Sequence, residues 1–481
     1  MTNLSWASWG AIWAVLLFAV DLATIARAVT REHRSPASRL AWSVVIMTLP
    51  LVGVIAYFFL GDTSADRKSD KKLKDLRREL RRRPDADMPQ ANLPLLYRQA
   101  FARAASVNGF QPVSGNRARV TTDSNESMDW LVDDIEAATD HVHILFYIWL
   151  ADGNGTRVAE ALIRAAGRGV KVRVIVDGLG SRRLLSDPLW ARMKEGGVDT
   201  VVAFAFRFPL ISAFIRRLDI RNHRKIVVID HATTYVGSQN CADAAFRVKA
   251  KYAPWVDVML RVTGPVAWQA QRLFVSDWMV NGGDDIARYL DHVPEVPKEG
   301  FPAVMAGTGP TESVQAVPDM MQMLLAAAQH EVIITTPYYV PSEALHQQIC
   351  AAALRGVRVR LNVPATNDSL IVAFASRSFY RSLLKSGVEV HEFQPGLLHA
   401  KILSIDGTAA LVGSPNLDQR SFDLNYENSM MLVDPDVVSE LCQKQEAFIN
   451  VSLQVQADTV VNWSVPRRIL INSIGMLSPL L

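Results

Sequence analysis

From His223 to Asn240 the chain reads HRKIVVIDHATTYVGSQN, and from His399 to Asn416 it reads HAKILSIDGTAALVGSPN. Both stretches follow one skeleton: His, any residue, Lys, four residues, Asp, six residues, Gly-Ser, one residue, Asn. The sequence around them repeats as well. VHILFYIW, the helical GTRVAEALIRAAGRG and VKVRVIVDG precede the first copy, and EVIITTPYYV, SEALHQQICAAALRG and VRVRLNV precede the second. LWARMKEGGVDTVVAF and FYRSLLKSGVEVHEF echo each other too, each a helix running through Gly-Val into a strand. Alternating helix and strand patterns imply an α/β fold. The sequence therefore predicts two tandem α/β domains, 93–300 and 301–481, related by a pseudo-two-fold axis. With 481 residues, 49% of them hydrophobic, the chain has enough apolar material for both cores.

The copies differ in one place. Gly197 and His223 are 26 residues apart but Gly387 and His399 only 12, so the first copy carries 14 extra residues. They fall in FAFRFPLISAFIRRLDIRN, where Phe204, Phe206, Phe208, Leu210, Ile211, Phe214 and Ile215 mix with Arg207, Arg216 and Arg217. Such a segment suits contact with lipid chains and head groups, with a packed linker as the alternative.

Residues 1–61 read as a membrane anchor. Leu4 to Val20 carries no charge, with Trp6, Trp9 and Trp13 as an interfacial belt, and a second apolar run extends from Leu40 to Leu60. Each approaches the ~20 residues that cross a bilayer, so two transmembrane helices are predicted, with a shallow re-entrant hairpin as the alternative. Asp21 and Pro50 interrupt the pattern. A signal peptide fits poorly, because MTNLSW lacks a basic start and a second hydrophobic run follows at once. Arg27, Arg31, Arg34 and Arg39 crowd the loop, while RKSDKKLKDLRRELRRR follows within the linker 62–92. The latter looks like a helix lying on anionic lipid, with a solvated, charged linker helix as the alternative; basic residues on both sides of the hairpin leave its orientation open, leaning toward catalytic domains on the cytoplasmic side of a bacterial inner membrane. A net charge of +3 excludes a general nucleic-acid coat. Cys241, Cys350 and Cys442 are too few and too scattered for a disulfide framework or a zinc site, and read as structural thiols.

Residues two apart on a strand share a face, so His223 with Lys225, and His399 with Lys401, point the same way. Asp230 and Asp406 end those strands, and a return strand brings up Ser238 with Asn240 and Ser414 with Asn416. Each copy gathers an imidazole, an ammonium, a hydroxyl and an amide. That set suits a phosphodiester: Lys neutralises phosphate charge, Ser and Asn donate to its oxygens, and His attacks phosphorus or moves protons. One copy supplies only one His; two facing copies place one on each side of a single phosphorus. No metal and no cofactor are needed for such chemistry.

These two stretches resemble the paired HKD motifs of the phospholipase D superfamily, and the resemblance spans roughly residues 93–453. KYAPWVDVMLRVTGPV and NLDQRSFDLNYENSMMLV, with the apolar N-terminus, resemble the bacterial cardiolipin synthases. The resemblance implies transfer of a phosphatidyl group between two phosphatidylglycerol molecules, with release of glycerol, through a phosphatidyl-histidine. It also implies that Asp257 and Glu427 orient the catalytic imidazoles. The first copy departs from the second in that Asp257 follows Asn240 by 17 positions, whereas Glu427 follows Asn416 by 11. A hydrolase of the same superfamily is the main alternative, a catalytically silent membrane scaffold the other. A homo-oligomer is left open.

Other residues invite attention. His141 and His143 flank a buried strand and, lacking a carboxylate partner, read as core or edge histidines; His231 reads as an exposed turn residue. Trp463, Leu470, Ile471, Ile474 and Leu477 lie near helical spacing after WSVPRR, as in an amphipathic docking tail or an ordinary packing helix.

Overall fold

A computed structural model describes residues 6–31, 36–61, 75–76, 91–205, 220–292, 297, 299–313 and 315–476. Most of the basic run 67–83, the inserted residues 206–219, Arg34 and Leu477 lie outside the described residues.

The first half contains β1 (Val113–Val120), β2 (His141–Phe146), β3 (Lys171–Asp177), β4 (Asp199–Ala203), β5 (Arg221–Asn222), β6 (Ile226–Ile229), β7 (Thr233–Gly237), β8 (Trp255–Val256) and β9 (Met259–Thr263). The second contains β10 (Phe301–Thr308), β11 (Glu331–Thr335), β12 (Tyr339–Val340), β13 (Arg358–Pro364), β14 (Glu389–Phe393), β15 (Leu397–Leu398), β16 (Ile402–Ile405), β17 (Ala409–Gly413), β18 (Leu417–Asp418), β19 (Asn425–Val433) and β20 (Ser452–Gln454). One sheet order serves both halves. From the centre outward it runs β1-β9-β7-β6-β2-β3-β4 on one side and β10-β19-β17-β16-β11-β13-β14-β20 on the other. The halves join where β1 and β10 pair antiparallel, as strands related by a two-fold axis must.

Local chemistry explains the repeated elements. β2 is buried along its whole length, as a strand covered by helices on both faces should be. The helices after β2 and β11 start at equivalent caps: Asp152 accepts from the Gly155 N–H (3.0 Å) and Ser342 from the Leu345 N–H (3.4 Å). The glycine of each Gly-Ser pair is required by close approach. A Cβ on Gly237 would lie 2.2 Å from the Val258 carbonyl oxygen, and one on Gly413 2.4 Å from that of Asn428. This contact sets each Gly-Ser turn against the strand that carries Asp257 or Glu427.

The N-terminal expectation needs correction. α1 (Trp6–Val29) is long and apolar enough to cross a membrane, with mean hydropathy 2.0 over Trp9–Val29. The second apolar run is not one helix. It breaks into α2 (Pro36–Thr48), α3 (Val52–Ala56) and a π-turn at Tyr57–Gly61. Pro50 has no N–H to donate and restricts the residue before it, and Leu51 takes φ 64°, which no helix tolerates. α3 instead folds back on α2: a Cβ on Gly53 would meet the Val45 carbonyl oxygen at 2.6 Å. Trp42, Ile46, Val54 and Tyr57 with Ala28 of α1 form a small apolar cluster of their own.

The C-terminal helix Val465–Gly475 packs through one residue and leaves other apolar residues exposed. Ile471 is buried, whereas Ile469 and Leu470 are exposed, as are Leu370 and Ile371 on the neighbouring helix.

Candidate active site

The two HxK pairs meet at the seam between the halves. Short strands bring them there: β5, just before His223, pairs with the start of β19, and β15, just before His399, pairs with β8. The His223 N–H thus donates to the Tyr426 carbonyl (2.9 Å) and the His399 N–H to that of Val256 (2.7 Å). Each histidine is delivered to the carboxylate-bearing segment of the other half.

The side chains therefore cross over. His223 Nδ1 lies 2.9 Å from both carboxylate oxygens of Glu427, and His399 Nδ1 lies 2.6 Å from Asp257 Oδ1. With Nδ1–H donating to a carboxylate, each ring keeps a lone pair on Nε2. Lys225 and Lys401 repeat one geometry, the ammonium donating to the carbonyl of the histidine two residues earlier, at 2.8 and 2.6 Å. Tyr147 stands edge-on to His223 and Trp255 lies against His399, each with ring centroids 4.8 Å apart. Across the seam Asn428 accepts from the Lys225 N–H (2.9 Å) and donates to its carbonyl (3.2 Å).

Burial governs the charge states, because it penalises every ionised form. It pushes the His223 imidazole down to about 4, with Glu427 opposing and Lys225 and Lys401 assisting. His399 is lowered by burial in the same way against the pull of Asp257. Both rings are neutral at pH 7. Burial also brings Lys225 down to about 8, and Lys401 to about 7 with Lys225 adding repulsion. For Asp257 burial acts upward, but the close His399 contact and hydrogen bond, the Lys401 ammonium and the Ser238 hydrogen bond outweigh it and bring the carboxyl down to about 2. The result is a dry pocket with two ionised carboxylates, two neutral imidazoles and two ammonium groups poised near neutrality.

The remaining predicted site residues fall into three groups. The amides stay at the pocket: Asn240 Oδ1 accepts from the Ile148 N–H (3.1 Å), and Asn416 Oδ1 is buried with no hydrogen-bond partner among the described residues. The serines are already committed. Ser238 Oγ donates to Asp257 (2.6 Å) and Ser414 Oγ to Glu427, so these hydroxyls hold the carboxylates, which are stronger acceptors than a carbonyl. The predicted phosphate contact through them is corrected accordingly. Asp230 and Asp406 are away from the pocket altogether. Asp230 accepts from the backbone N–H groups of Thr139, Asp140 and His141 at 2.8–2.9 Å. Asp406 accepts from those of Gln329, His330 and Glu331 at 2.8 Å. Strand β6 or β16 separates each from its HxK, roughly 15–20 Å at ~3.3 Å per residue. Their shared task is to tie the far hairpin turn to the loop before β2 or β11, and no catalytic part falls to them.

Two expectations about other residues also change. His141 does have a carboxylate partner, Asp140, its Nδ1 lying 2.7 Å from Oδ2, and His231 is half-buried against the His141 ring. Cys241 is buried beside Asn240, and burial raises its thiol well above the ordinary value, which keeps it inert. Sequence reasoning missed Asn425, whose amide donates to Glu427 (3.2 Å), and Arg224, which is buried at the seam and bonds Asp277 (2.7 Å), Glu312 (2.6 Å) and the carbonyls of Glu427 and Thr308. Asn425 was legible, being two residues before Glu427 on one strand face. Arg224 was not, since its partners are distant in sequence.

Two family models match the chain: one described as "Cardiolipin synthase, PLD-like domain" over residues 131–278 and 321–449, the other as "Phospholipase_D-nuclease N-terminal" over 11–61. The doubled domain with one HxK in each half is thus of the phospholipase D-like class. A cardiolipin synthase A of Erwinia tasmaniensis is 35% identical over 480 residues, 96% of each chain, and one of Yersinia pseudotuberculosis is 34% identical over 462 residues, 93% of this chain and 92% of that one. By these measures the chain belongs to the cardiolipin synthase family. The fold is also similar to a crystal structure of phosphatidylserine synthase from Haemophilus influenzae, with TM-score 0.59 and 15% identity over 79% of this chain and 99% of that one.

Proposed function

We propose that the protein joins two phosphatidylglycerol molecules into cardiolipin and releases glycerol, with His223 as nucleophile and His399 as acid and base. The observation that carries this reading is the crossed pair of imidazole–carboxylate contacts flanked by two buried lysines. His223 Nε2 attacks phosphorus, forming a P–N bond as the bond to the glycerol oxygen breaks, and His399 gives that oxygen a proton. The bound phosphodiester anion returns negative charge to the pocket and so favours the protonated form of His399. The hydroxyl of a second phosphatidylglycerol then gives its proton to His399 and attacks phosphorus, the P–N bond breaks, and His223 is restored. Lys225 and Lys401, with the Asn240 and Asn416 amides, stabilise the charge developing on phosphate oxygens. This scheme routes no step through a metal.

Transfer rather than hydrolysis requires that a lipid hydroxyl reach the intermediate before water does, and burial of both histidines supports that outcome. The exposed Leu370, Ile371, Ile469 and Leu470 give the second half an apolar face that suits contact with a bilayer, which supports a chain held at a bacterial inner membrane, and on this reading its catalytic halves face the cytoplasm. Purified protein incubated with head-group-labelled phosphatidylglycerol is expected to yield cardiolipin and free labelled glycerol. Phosphatidic acid as the main lipid product would replace this reading with a hydrolase.

The lysines predict the pH profile. kcat/KM reports the free enzyme, and Lys401, at about 7, is the first of the pair to lose its proton as pH rises, followed by Lys225 at about 8. Above about pH 7 kcat/KM should therefore decline more steeply than loss of the lowered His399 proton alone would cause. Lys401→Arg, whose guanidinium stays charged, should move that decline toward about 8. A decline at the same pH in both proteins would show that Lys401 does not set it.

A further inference from the structure

At the far end of β2 from the catalytic pocket, a second polar cluster has no part in the phosphodiester chemistry. Its members are Asp140, His141, His143 and Gln271, with His231 from the β6–β7 turn and the His292 ring 4.6 Å from that of His231. The internal repeat provides a control for it. Both hairpins make the same turn: Asp230 and His231 have φ 48° and 61°, and Asp406 and Gly407 have φ 50° and 61°. The closing bonds match as well, Ala232 N–H to Ile229 O at 3.1 Å and Thr408 N–H to Ile405 O at 3.0 Å. The second copy uses glycine at the left-handed position, as such turns prefer. The first copy places a histidine there, against that preference, and aims it at Asp140 and His141. The aspartate bonds described above align Asp140 with His330 and His141 with Glu331, so the second copy has no equivalent cluster.

We propose that Asp140, His141 and His231 bind one divalent transition-metal ion of the zinc class, which clasps the β6–β7 turn to the start of β2. Asp140 Oδ2 lies 2.7 Å from His141 Nδ1 and 3.5 Å from His231 Nε2. All three ligand atoms fall within 4.8 Å of one another. Ligands at ~2.0–2.1 Å around a tetrahedral ion stand ~3.3 Å apart, so reaching that geometry takes a turn of the exposed Asp140 carboxylate away from His141 and closure of the two imidazoles around the ion. Gln271 Oε1, 3.1 Å from His141 Nε2, accepts the proton on that nitrogen and leaves the Nδ1 lone pair for the ion. Among the described residues His231 Nδ1 is buried without a hydrogen-bond partner, so its other nitrogen carries the useful contact. Two imidazoles and one carboxylate suit Zn²⁺, Co²⁺ or Ni²⁺ rather than Mg²⁺ or Ca²⁺, and the exposure of Asp140 leaves room for water in the remaining position. Strand β2 puts the ion roughly 20 Å from the HxK pairs, so it fastens the fold and takes no part in transfer.

Full-length, tag-free protein in detergent, stripped by chelator, is titrated with Co²⁺ and followed by its visible absorption. One equivalent per chain is expected to bind, to be displaced by Zn²⁺, and to raise the unfolding temperature. His231→Gly recreates the turn of the second copy, so the metal-free variant should unfold no earlier than the wild type. Its Co²⁺ affinity should fall by more than roughly 100-fold, since a direct ligand outweighs the ~10–100-fold typical of its outer-shell supports. Absence of saturable binding, or equal binding by wild type and His231→Gly, would overturn the proposal.

Discussion

Replacing His223 by alanine is expected to lower turnover on phosphatidylglycerol by roughly 10⁴-fold or more and to remove covalent labelling, since no imidazole remains to attack phosphorus. His399→Ala should match it on that substrate, because glycerol is a poor leaving group without a proton. The two variants separate on a substrate whose leaving group is p-nitrophenolate, which departs without an acid. There His399→Ala should release one equivalent of p-nitrophenolate and stall as the phosphatidyl-enzyme, the acceptor hydroxyl having lost its base. His223→Ala should release none. Alkaline quench, which spares the acid-labile P–N bond, followed by mass spectrometry of the stalled species should locate phosphorus on His223. Phosphorus on His399 in the His223→Ala protein would exchange the two assignments, and no adduct in either protein would remove the covalent intermediate. The carboxylate pairs make the substitutions informative, because Glu427 keeps Ser414 and Asn425 as donors when His223 is removed, and the pocket does not have to rearrange.

Arg224→Met should be the most destabilising single change at the seam. The guanidinium is fully buried and bridges Asp277 of the first half to Glu312 of the second, besides binding the carbonyls of Glu427 and Thr308. Removing one member of such a network strands the others' charge in low dielectric, at a cost of ~3–5 kcal/mol. In a protein of 481 residues that corresponds to an unfolding temperature lower by roughly 3–5 °C. Neutralising the partners as well, in Arg224→Met/Asp277→Asn/Glu312→Gln, should recover a large part of the loss because no unpaired charge is left. The check is thermal unfolding of the detergent-solubilised variants. Equal stability of Arg224→Met and wild type would mean that the halves are held by the β1–β10 pairing and apolar contacts alone.

The repeat was the most legible part of this chain, and the reason is periodic chemistry. A polar skeleton of fixed spacing, embedded in recurring helix and strand patterns, specifies a duplicated fold without knowledge of any contact. The same skeleton was less informative about roles. Asp230 and Asp406 are as regularly spaced as His223 and Lys225, yet they serve a turn at the opposite end of the strand, since spacing along a strand fixes the face but not which end of the sheet holds the pocket. Ser238 and Ser414 were legible as donors but not as donors to Asp257 and Glu427, which come from later in the chain. The membrane anchor was legible in part, with one long apolar helix present and the second apolar run broken. Apolar length predicted a second spanning helix, but Pro50 and the backbone turn at Leu51 overrode composition and folded α3 back on α2. The four-histidine cluster was hidden because His231 and His292 come from segments far from β2, and because neighbouring residues on a strand ordinarily point to opposite faces, which does not suggest Asp140 as the partner of His141.

The crossed contacts His223–Glu427 and His399–Asp257 have a consequence for how such a molecule can be divided. A fragment ending after β9 would retain His223, Lys225 and Asn240 but lack the carboxylate that orients its own imidazole, and the complementary fragment would have Glu427 with no histidine to hold. Neither piece is a weak version of the whole; each is a lock bearing the other's key. A polypeptide with a single copy could build this pocket only by pairing with a second molecule of its kind. Joining the copies in one chain converts that meeting from a matter of concentration into a matter of connectivity, and allows the two sides to diverge, as they have in their turns, their insertions and their choice of Asp or Glu.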